Sequence, residues 1–374
     1  MKVRSLLFGM LCMLALSASL VSCSDEDDVL DDSGSTVSLP QVRAYFLNEG
    51  TQKENNAGIM FYAPNGDAAS ISDIFKKQNN AQLGDVGQDM IVYEECLYVA
   101  VYGSNYLVKL NAAGVVQKRV SFVGDADLSA GIRSIAAEDG YIYASFYGGT
   151  VAKIDANTLQ VEKKLTGVGS NLEGVAISER MLYVADSYKV VDSKYVYNKE
   201  VAVIDLNTFS LKEKLTVTQN PNMMTEEDGR VYLISWDYSA ESYVLQMIEP
   251  KNGNKVSQLG YATHMAAKGD LLYLVDSRVD YSHWPEVSAR NSFATYDAKS
   301  GKMNATSFLK NVPEELNTAV VYMIEVNGKN GDIYIATTGH GKTNGNVYRF
   351  KSDGSFVEKF DCGGQNPKRA VFFN

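Results

Sequence analysis

Proline, cysteine and histidine are scarce, at 7, 4 and 3 residues in a chain of 374. With 30 Gly, 45% hydrophobic and 21% charged residues, so few prolines exclude a collagen-like or disordered chain. The four cysteines form no Cys-x-x-Cys pair, and His264, His283 and His340 are scattered. No zinc motif is therefore visible, and no metal ligand or resident cofactor is assigned. A basic excess is also missing: the net charge is −10, and nucleic-acid binding needs a cationic footprint to neutralise phosphates. Apart from one short N-terminal run, no stretch approaches membrane-spanning length, and no helical periodicity of useful length appears.

That N-terminal run has a recognisable order. Lys2 and Arg4 precede an apolar segment from Leu6 to Leu20, which Leu20-Val21-Ser22-Cys23 follows. A positive start, an apolar core too short to span and small residues before a cut describe a secretory signal over 1–22. The Leu-Val-Ser-Cys order resembles the bacterial lipobox, in which the cysteine becomes the lipidated first residue, so Cys23 is the expected lipid site. Cleavage there leaves 23–374 with a net charge of −12, because Lys2 and Arg4 are lost. Ser24-Asp25-Glu26-Asp27-Asp28 resembles the acidic signal that exports lipoproteins of the Bacteroides group to the cell surface. Residues 23–41, rich in Ser, Asp and Gly, are expected to be a flexible acidic tether, and a lipid chain is expected to provide all membrane attachment. With Cys12 removed and Cys23 lipidated, Cys96 and Cys362 are expected to be free thiols.

The remaining chain, 42–374, repeats one phrase: strand, tight polar turn, strand with Leu/Ile-Tyr, loop, third strand often ending in Asp, turn, and a Lys/Glu/Val-rich fourth strand. The second-strand tyrosines are Tyr98, Tyr143, Tyr183, Tyr232, Tyr273 and Tyr334, spaced 45, 40, 49, 41 and 61 apart. Four strands at this period predict an all-β fold, a β-propeller. Six blades carry the tyrosine. A seventh is built from Arg43–Leu47 and Gly58–Tyr62 and lacks an inner strand. Arg369–Phe373 is a strand without a partner of its own, so the C-terminal strand should complete the first blade and close a seven-bladed ring.

In such a ring the loops joining second and third strands share one face with the connections between blades. That face collects the unusual side chains. They include Tyr102 and Asn105 in blade two, Tyr147 in blade three, and Asp186, Tyr188, Tyr195 and Tyr197 in a longer loop of blade four. Blade five adds Trp236, Asp237 and Tyr238. Blade six, with the longest loop at 276–291, adds Arg278, Tyr281, His283 and Trp284, and blade seven His340. A converging set of rigid amphipathic rings suits ligand capture, because it supplies contact area at low entropic cost. Tyr102 and Tyr147 could instead pack between blades. No catalytic spacing joins Asp237, Asp276, His283 and His340, so no catalytic residue is assigned and the chain is not expected to be an enzyme. If Trp236 and Trp284 bind ligand, alanine at either position should weaken binding and spare the melting temperature.

The propeller pattern, the lipobox with its acidic follower, Phe46-Leu47-Asn48-Glu49-Gly50, Asn55-Asn56-Ala57-Gly58 and Leu83-Gly84-Asp85-Val86-Gly87-Gln88-Asp89-Met90 resemble one family. It is the surface-lipoprotein propellers of the Bacteroides group that accompany TonB-dependent outer-membrane receptors, the BtuG-type cobalamin-binding lipoproteins among them. The resemblance implies an outer-membrane protein, exposed at the cell surface, that captures cobalamin or a related corrinoid and passes it to a BtuB-type TonB-dependent receptor. Cobalamin would then be cargo. The alternatives are capture of another ligand such as a siderophore, a hydrolase or lyase acting on glycans or peptides, and a protein-interaction platform. A siderophore reading would gain from a basic cluster, but this face offers only Arg278, Lys189, Lys194 and Lys199 amid carboxylates.

Overall fold

The computed structural model describes residues 29–373, apart from 239, 241 and 285. The expected signal segment 1–22 and Cys23 lie outside the described residues. Six antiparallel sheets have four strands each, in sequence order. They are blades two (87–121), three (132–165), four (171–216), five (221–261), six (264–304) and seven (321–361). Blade one combines Arg43–Asn48 and Gly58–Tyr62 with the C-terminal strand Pro367–Phe373. Ile71 extends it by a bridge to Phe61. The first strands neighbour one another in a closed cycle, from 367–373 through 87–93, 132–138, 171–178, 221–227, 264–268 and 321–326 back to the start. The chain is a seven-bladed β-propeller closed by its C-terminal strand. No described helix is long and apolar enough to cross a membrane.

Burial peaks in the middle of each blade, and the first strands around the axis are only half-buried. Second strands such as Tyr141–Phe146 and Cys96–Val101 are almost wholly buried. The Lys/Glu-rich fourth strands, such as Val116–Ser121 and Ser210–Thr216, are exposed, and their charges discourage edge-to-edge pairing with other chains. The apolar core divides into seven clusters, each shared by two adjacent blades.

The repeated tyrosine holds those interfaces together. Tyr98 donates its hydroxyl to the Ala156 carbonyl at 2.8 Å, and Tyr183 donates to Asn254 Oδ1 at 2.6 Å. Tyr45, the counterpart in blade one, donates to the Ala112 carbonyl at 2.5 Å. All three acceptors sit in the turn between strands three and four of the next blade. Elsewhere the ring alone reaches across: Tyr143 lies 6.1 Å from Phe209, and Tyr334 lies 5.0 Å from Phe372. Each buried ring removes a large apolar area from water, and each hydroxyl bond adds a net stabilisation of about 1 kcal/mol.

The seam between blades seven and one carries extra locks. The C-terminal strand pairs with 43–48 from Arg43↔Phe373 to Asn48↔Pro367. Phe46, Tyr62, Tyr334, Phe360 and Phe372 cluster there, with Tyr62 stacked on Phe360 at 4.3 Å. Buried Arg349 holds Asp332 of its own blade at 2.9 and 2.7 Å and donates to the Tyr62 hydroxyl of blade one at 3.0 Å. It also donates to the Pro64 carbonyl.

Three expectations are corrected. Residues 29–41, assigned by composition to a flexible tether, form a strap fastened to blades one and two. Leu30 packs on their shared core and Leu39 is buried in it. Thr36 donates its amide to Gln78 Oε1 at 2.8 Å, and Asn111 donates to the Ser33 carbonyl at 2.9 Å. Fully buried Arg43 makes a bidentate pair with Asp32 at 2.7 and 3.0 Å. The physical reason is that buried charge: the strap supplies its counter-ion. The blade-four loop is instead a β-ribbon, because Met181–Val191 and Lys194–Asp205 stay paired to Val191↔Lys194. Asp192 and Ser193 turn with φ of 50° and 60°, as a tight two-residue hairpin turn requires. The long blade-six loop shortens to 281–287, since Leu271–Asp280 and Ser288–Asp297 pair throughout. Cys96 and Cys362 are free, half-buried and buried respectively.

Removing the counter-ion should be costly. Asp32→Ala is expected to lower the unfolding free energy by about 3 kcal/mol, the usual cost of leaving a buried charge unpaired. Urea denaturation measures this, and an unchanged midpoint would show that Arg43 is neutralised elsewhere.

Candidate functional site

A cavity of about 520 Å³ opens on the face where the second-to-third-strand loops meet the connections between blades. Its floor comes from the starts of the inner strands. Asp89, Arg133, Glu173, His264, Tyr322 and Arg369 each stand near the beginning of a different blade's first strand. The first strands surround the axis, so the closed ring brings these side chains together.

The floor is a set of mutually satisfied charges. Arg133 donates through Nε and Nη2 to Glu173 Oε2 at 3.0 and 2.8 Å, and through Nη1 to Gln88 Oε1 at 2.8 Å. Its guanidinium lies over the rings of Tyr102 and Tyr147, 4.8 and 4.5 Å from their centroids. Tyr147 donates its hydroxyl to Glu173, and Tyr322 donates to Glu49. Lys368 pairs with Glu49 at 3.3 Å. Arg369 bridges Asp89 at 2.8 Å and Glu325 at 3.4 Å, while Ser134 donates to the other Asp89 oxygen at 2.8 Å.

Burial shifts the titration of this floor. It pushes the Glu325 carboxyl up to about 7, against the opposing pull of Arg369. It pushes His264 down to about 4, so that imidazole is neutral. Burial, then Glu173, raises the Tyr147 phenol, and burial, then Glu49, raises that of Tyr322. These phenols therefore remain protonated donors at neutral pH.

Aromatic rings form the wall. One chain of contacts runs from Tyr102 to Tyr147 at 5.5 Å, to Tyr188 at 6.0 Å and to Tyr195 at 5.3 Å. A second joins Tyr197 to Tyr238 at 6.1 Å and Tyr238 to Trp236 at 6.3 Å. A third group stands on blades six and seven, with His340 lying 6.0 Å from Tyr281 and 6.5 Å from Trp284. Trp284 is 63% exposed and Tyr195 67% exposed.

The candidates read from the sequence thus separate. Tyr147, Tyr188, Trp236 and Tyr238 line the cavity. Tyr102 backs it through Tyr147, and Tyr281, Trp284 and His340 form their own group on the same face. His283 is exposed beside them, its Nδ1 paired with Ser282 Oγ at 2.9 Å. Those five stand outside its lining, and the remaining three, Asn105, Asp237 and Arg278, do not line it either. Asn105 is buried with φ 49°; its amide donates to the Leu128 carbonyl at 3.0 Å and its oxygen accepts from Ile132 N at 3.1 Å. It shapes a connection between blades. Asp237 accepts from Gln219 at 2.6 Å and from Ala240 N at 3.2 Å, which closes its own turn. Arg278 pairs with Asp276 at 2.8 Å and lies 5.1 Å from the Tyr243 ring.

Reasoning from loops alone missed the floor: Glu49, Asp89, Arg133, Glu173, His264, Tyr322 and Arg369. The signal was present as charged residues at the second or third position of otherwise apolar first strands, as in Gln88-Asp89, Arg133-Ser134 and Lys368-Arg369. Among the described residues no group of three or more His, Cys, Asp or Glu is placed to hold a metal ion.

The chain matches a family model over residues 43–372 and belongs to that family, which is described as a domain of unknown function (DUF5074). No curated protein sequence matches it. Among solved structures, a quinoprotein alcohol dehydrogenase-like protein of Bacteroides thetaiotaomicron is similar with a TM-score of 0.59 at 16% identity, over 88% of this chain and 78% of that one. The hydrazine synthase of Kuenenia stuttgartiensis is similar with a TM-score of 0.55 at 15% identity, over 71% and 77%. The RRP9 WD40 repeats reach 0.52 at 10% identity, over 74% and 80%. At such identities the likeness is one of fold.

The Glu325 carboxyl yields a pH prediction. Its folded pKa of about 7 lies above the ordinary 4.5, so folding favours the protonated form. Its contribution to stability is full below about 4.5 and is lost as pH rises through about 7. Glu325→Gln is expected to remove that dependence, so wild type should lose stability relative to the variant across this window. Denaturation midpoints of both proteins at several pH values measure it, and parallel profiles would show that Glu325 titrates normally.

Proposed function

We propose that this DUF5074 protein is a non-catalytic capture lipoprotein of the outer membrane, anchored through Cys23. It holds cobalamin or a related corrinoid at the cell surface and passes it to a BtuB-type TonB-dependent receptor. The observation that carries the reading is the succession of aromatic rings around one mouth, above a floor whose charges already satisfy one another.

Each part of that arrangement argues for a bulky ligand of low formal charge. The floor contributes Arg133, Lys368 and Arg369 against Glu49, Asp89 and Glu173, so it offers no net cation to an anionic siderophore. Rings such as Tyr188, Trp236 and Tyr238 cover apolar ring surface, and protonated phenols and amide side chains such as Asn222 match carbonyl and amide arms. At about 520 Å³ the cavity takes part of a corrinoid. The rest would lie between the exposed Tyr195, Tyr238 and Trp284. A rigid scaffold limits the ordering cost on binding. No resident cofactor is invoked, since the corrinoid is cargo.

Gel filtration of residues 23–374 with cyanocobalamin tests this directly, because the ligand is coloured. Colour eluting with protein at one to one is expected. Colour eluting only as free ligand, at micromolar protein, would overturn the corrinoid reading. The two tryptophans should then behave differently. Trp284→Ala is expected to weaken binding by about 2 kcal/mol, roughly thirtyfold, with little change in Tm. Trp236 packs partly buried against the core between blades five and six. Trp236→Ala should therefore weaken binding and lower Tm together, which revises the expectation from sequence alone. Isothermal titration and thermal melts read both quantities.

A further inference from the structure

We infer that in the anchored protein the cavity faces away from the lipid bilayer, because the N-terminal strap is fastened to the opposite face of the propeller. The inference rests on the reading of Cys23 as the lipid site.

The strap's ion pair and its hydrogen bonds to neighbouring elements lie at the far end of the blades. Leu30 N donates to Gln41 Oε1 at 3.0 Å, immediately before blade one's strand 43–48 begins. Asp32 holds Arg43 at the start of that strand, whereas Glu49, just past its end, lines the cavity. Asn111, which donates to Ser33 O at 2.9 Å, lies in blade two's turn between strands three and four. Gln78 ties the strap to the same turn, donating to Ser35 Oγ at 2.7 Å and to the Ala113 carbonyl at 3.0 Å. These are the turns opposite the mouth.

Chain length then limits the pose. From Cys23 to the first described residue, Val29, the chain can reach roughly 20 Å when fully extended. A seven-residue first strand such as Gly87–Tyr93 spans by itself roughly 20 Å between its end Cα atoms. The paired ribbon raises the mouth further: Met181–Val191, from the turn on the strap side to the ribbon's end, spans roughly 33 Å. With the strap docked, the tether is too short to run from the lipid, past the full height of a blade, to the strap on the far face. The mouth-down pose is therefore excluded by length, and the ligand enters from the side away from the membrane. A membrane-embedded receptor that empties the cavity must rise over the rim or release the strap.

The test uses the full-length lipidated protein on vesicles carrying an energy-transfer acceptor on the lipid headgroup. Two donor positions in blade six, both exposed, compare the faces: Ser282→Cys on the mouth side and Ser300→Cys in a turn on the strap side, each in a Cys96→Ser background. Vesicle flotation comes first. Protein that stays behind overturns the anchor reading, and with it this inference. For protein that floats, transfer from position 300 is expected to exceed that from 282 severalfold. Equal transfer, or the reverse order, would overturn the orientation while leaving the anchor intact. A second variant of each labelled protein carries twenty Gly/Ser residues inserted between 28 and 29, a coil with an end-to-end distance of roughly 25 Å. This leaves the docked strap and its Asp32–Arg43 pair in place. The two transfers should converge in it; if their difference survives, something other than tether length orients the propeller.

Discussion

Closure of the ring is the constraint from which the other features follow. The strand at 367–373 belongs by sequence to the end of the chain and by pairing to its beginning. Until it docks, blade one has no inner strand and the ends of the inner strands do not surround anything. Bringing chain ends together over more than three hundred residues carries a loop-closure cost that grows only slowly with length, so a few strong local contacts can offset it. The seam supplies them in two forms. Phe46, Tyr62, Tyr334, Phe360 and Phe372 bury apolar surface, and Arg349 fixes Tyr62 and Pro64 of blade one against Asp332 of blade seven. A buried guanidinium is a poor source of net stability but a strict test of register, because a slipped strand leaves it unpaired.

Closure also explains why the cavity floor is built from salt bridges. Each inner strand starts at the axis, and any charge placed there meets charges from the neighbouring blades. An isolated ion in that narrow space would lose its hydration without compensation. The side chains found there are accordingly complementary between blades: Arg133 of blade three meets Glu173 of blade four, and Arg369 of blade one meets Asp89 of blade two and Glu325 of blade seven. Such a floor is rigid and electrically self-contained. Any discrimination between ligands would then come mainly from what lies above it, the rings on the blade-four ribbon and on the loops of blades five to seven.

The repeat was legible because its cause is local. A strand-two tyrosine contacts the next blade in every copy, so the chemistry of the interface recurs at the period of the fold, and the fourth strands show their exposure in their lysines and glutamates. The site was only half legible. Tyr147, Tyr188 and Trp236 stand out as aromatics after a strand, but Asp89, Arg133 and Glu173 matter because they converge from positions about forty residues apart, and no local pattern marks convergence. The ribbon at 187–198 reads as a loop because its aromatics break the apolar alternation of a half-buried strand. The strap reads as a tether for a related reason. Its composition is that of a solvated chain, and what holds it down lies outside it: the side chains of Gln78 and Asn111, and buried Arg43, eleven residues from Asp32.

That arginine marks the face of the molecule opposite the cavity. Arg43 begins the strand that Glu49 follows, so one six-residue strand joins the strap's counter-ion site to the cavity floor. Lys368, which pairs with Glu49, lies in the closing strand and so ties the same floor to the seam. The strap's ion pair, closure and the floor of the cavity therefore share one blade, the one assembled from both ends of the chain. The aromatic wall lies elsewhere, on blades two to seven, where loops can change length and side chain without disturbing closure. A scaffold arranged this way keeps its ring while its mouth is reshaped for a different ligand. The fold, shared with structures at 16% identity and below, therefore leaves any ligand undetermined, and the wall residues are where the identity of one would be decided.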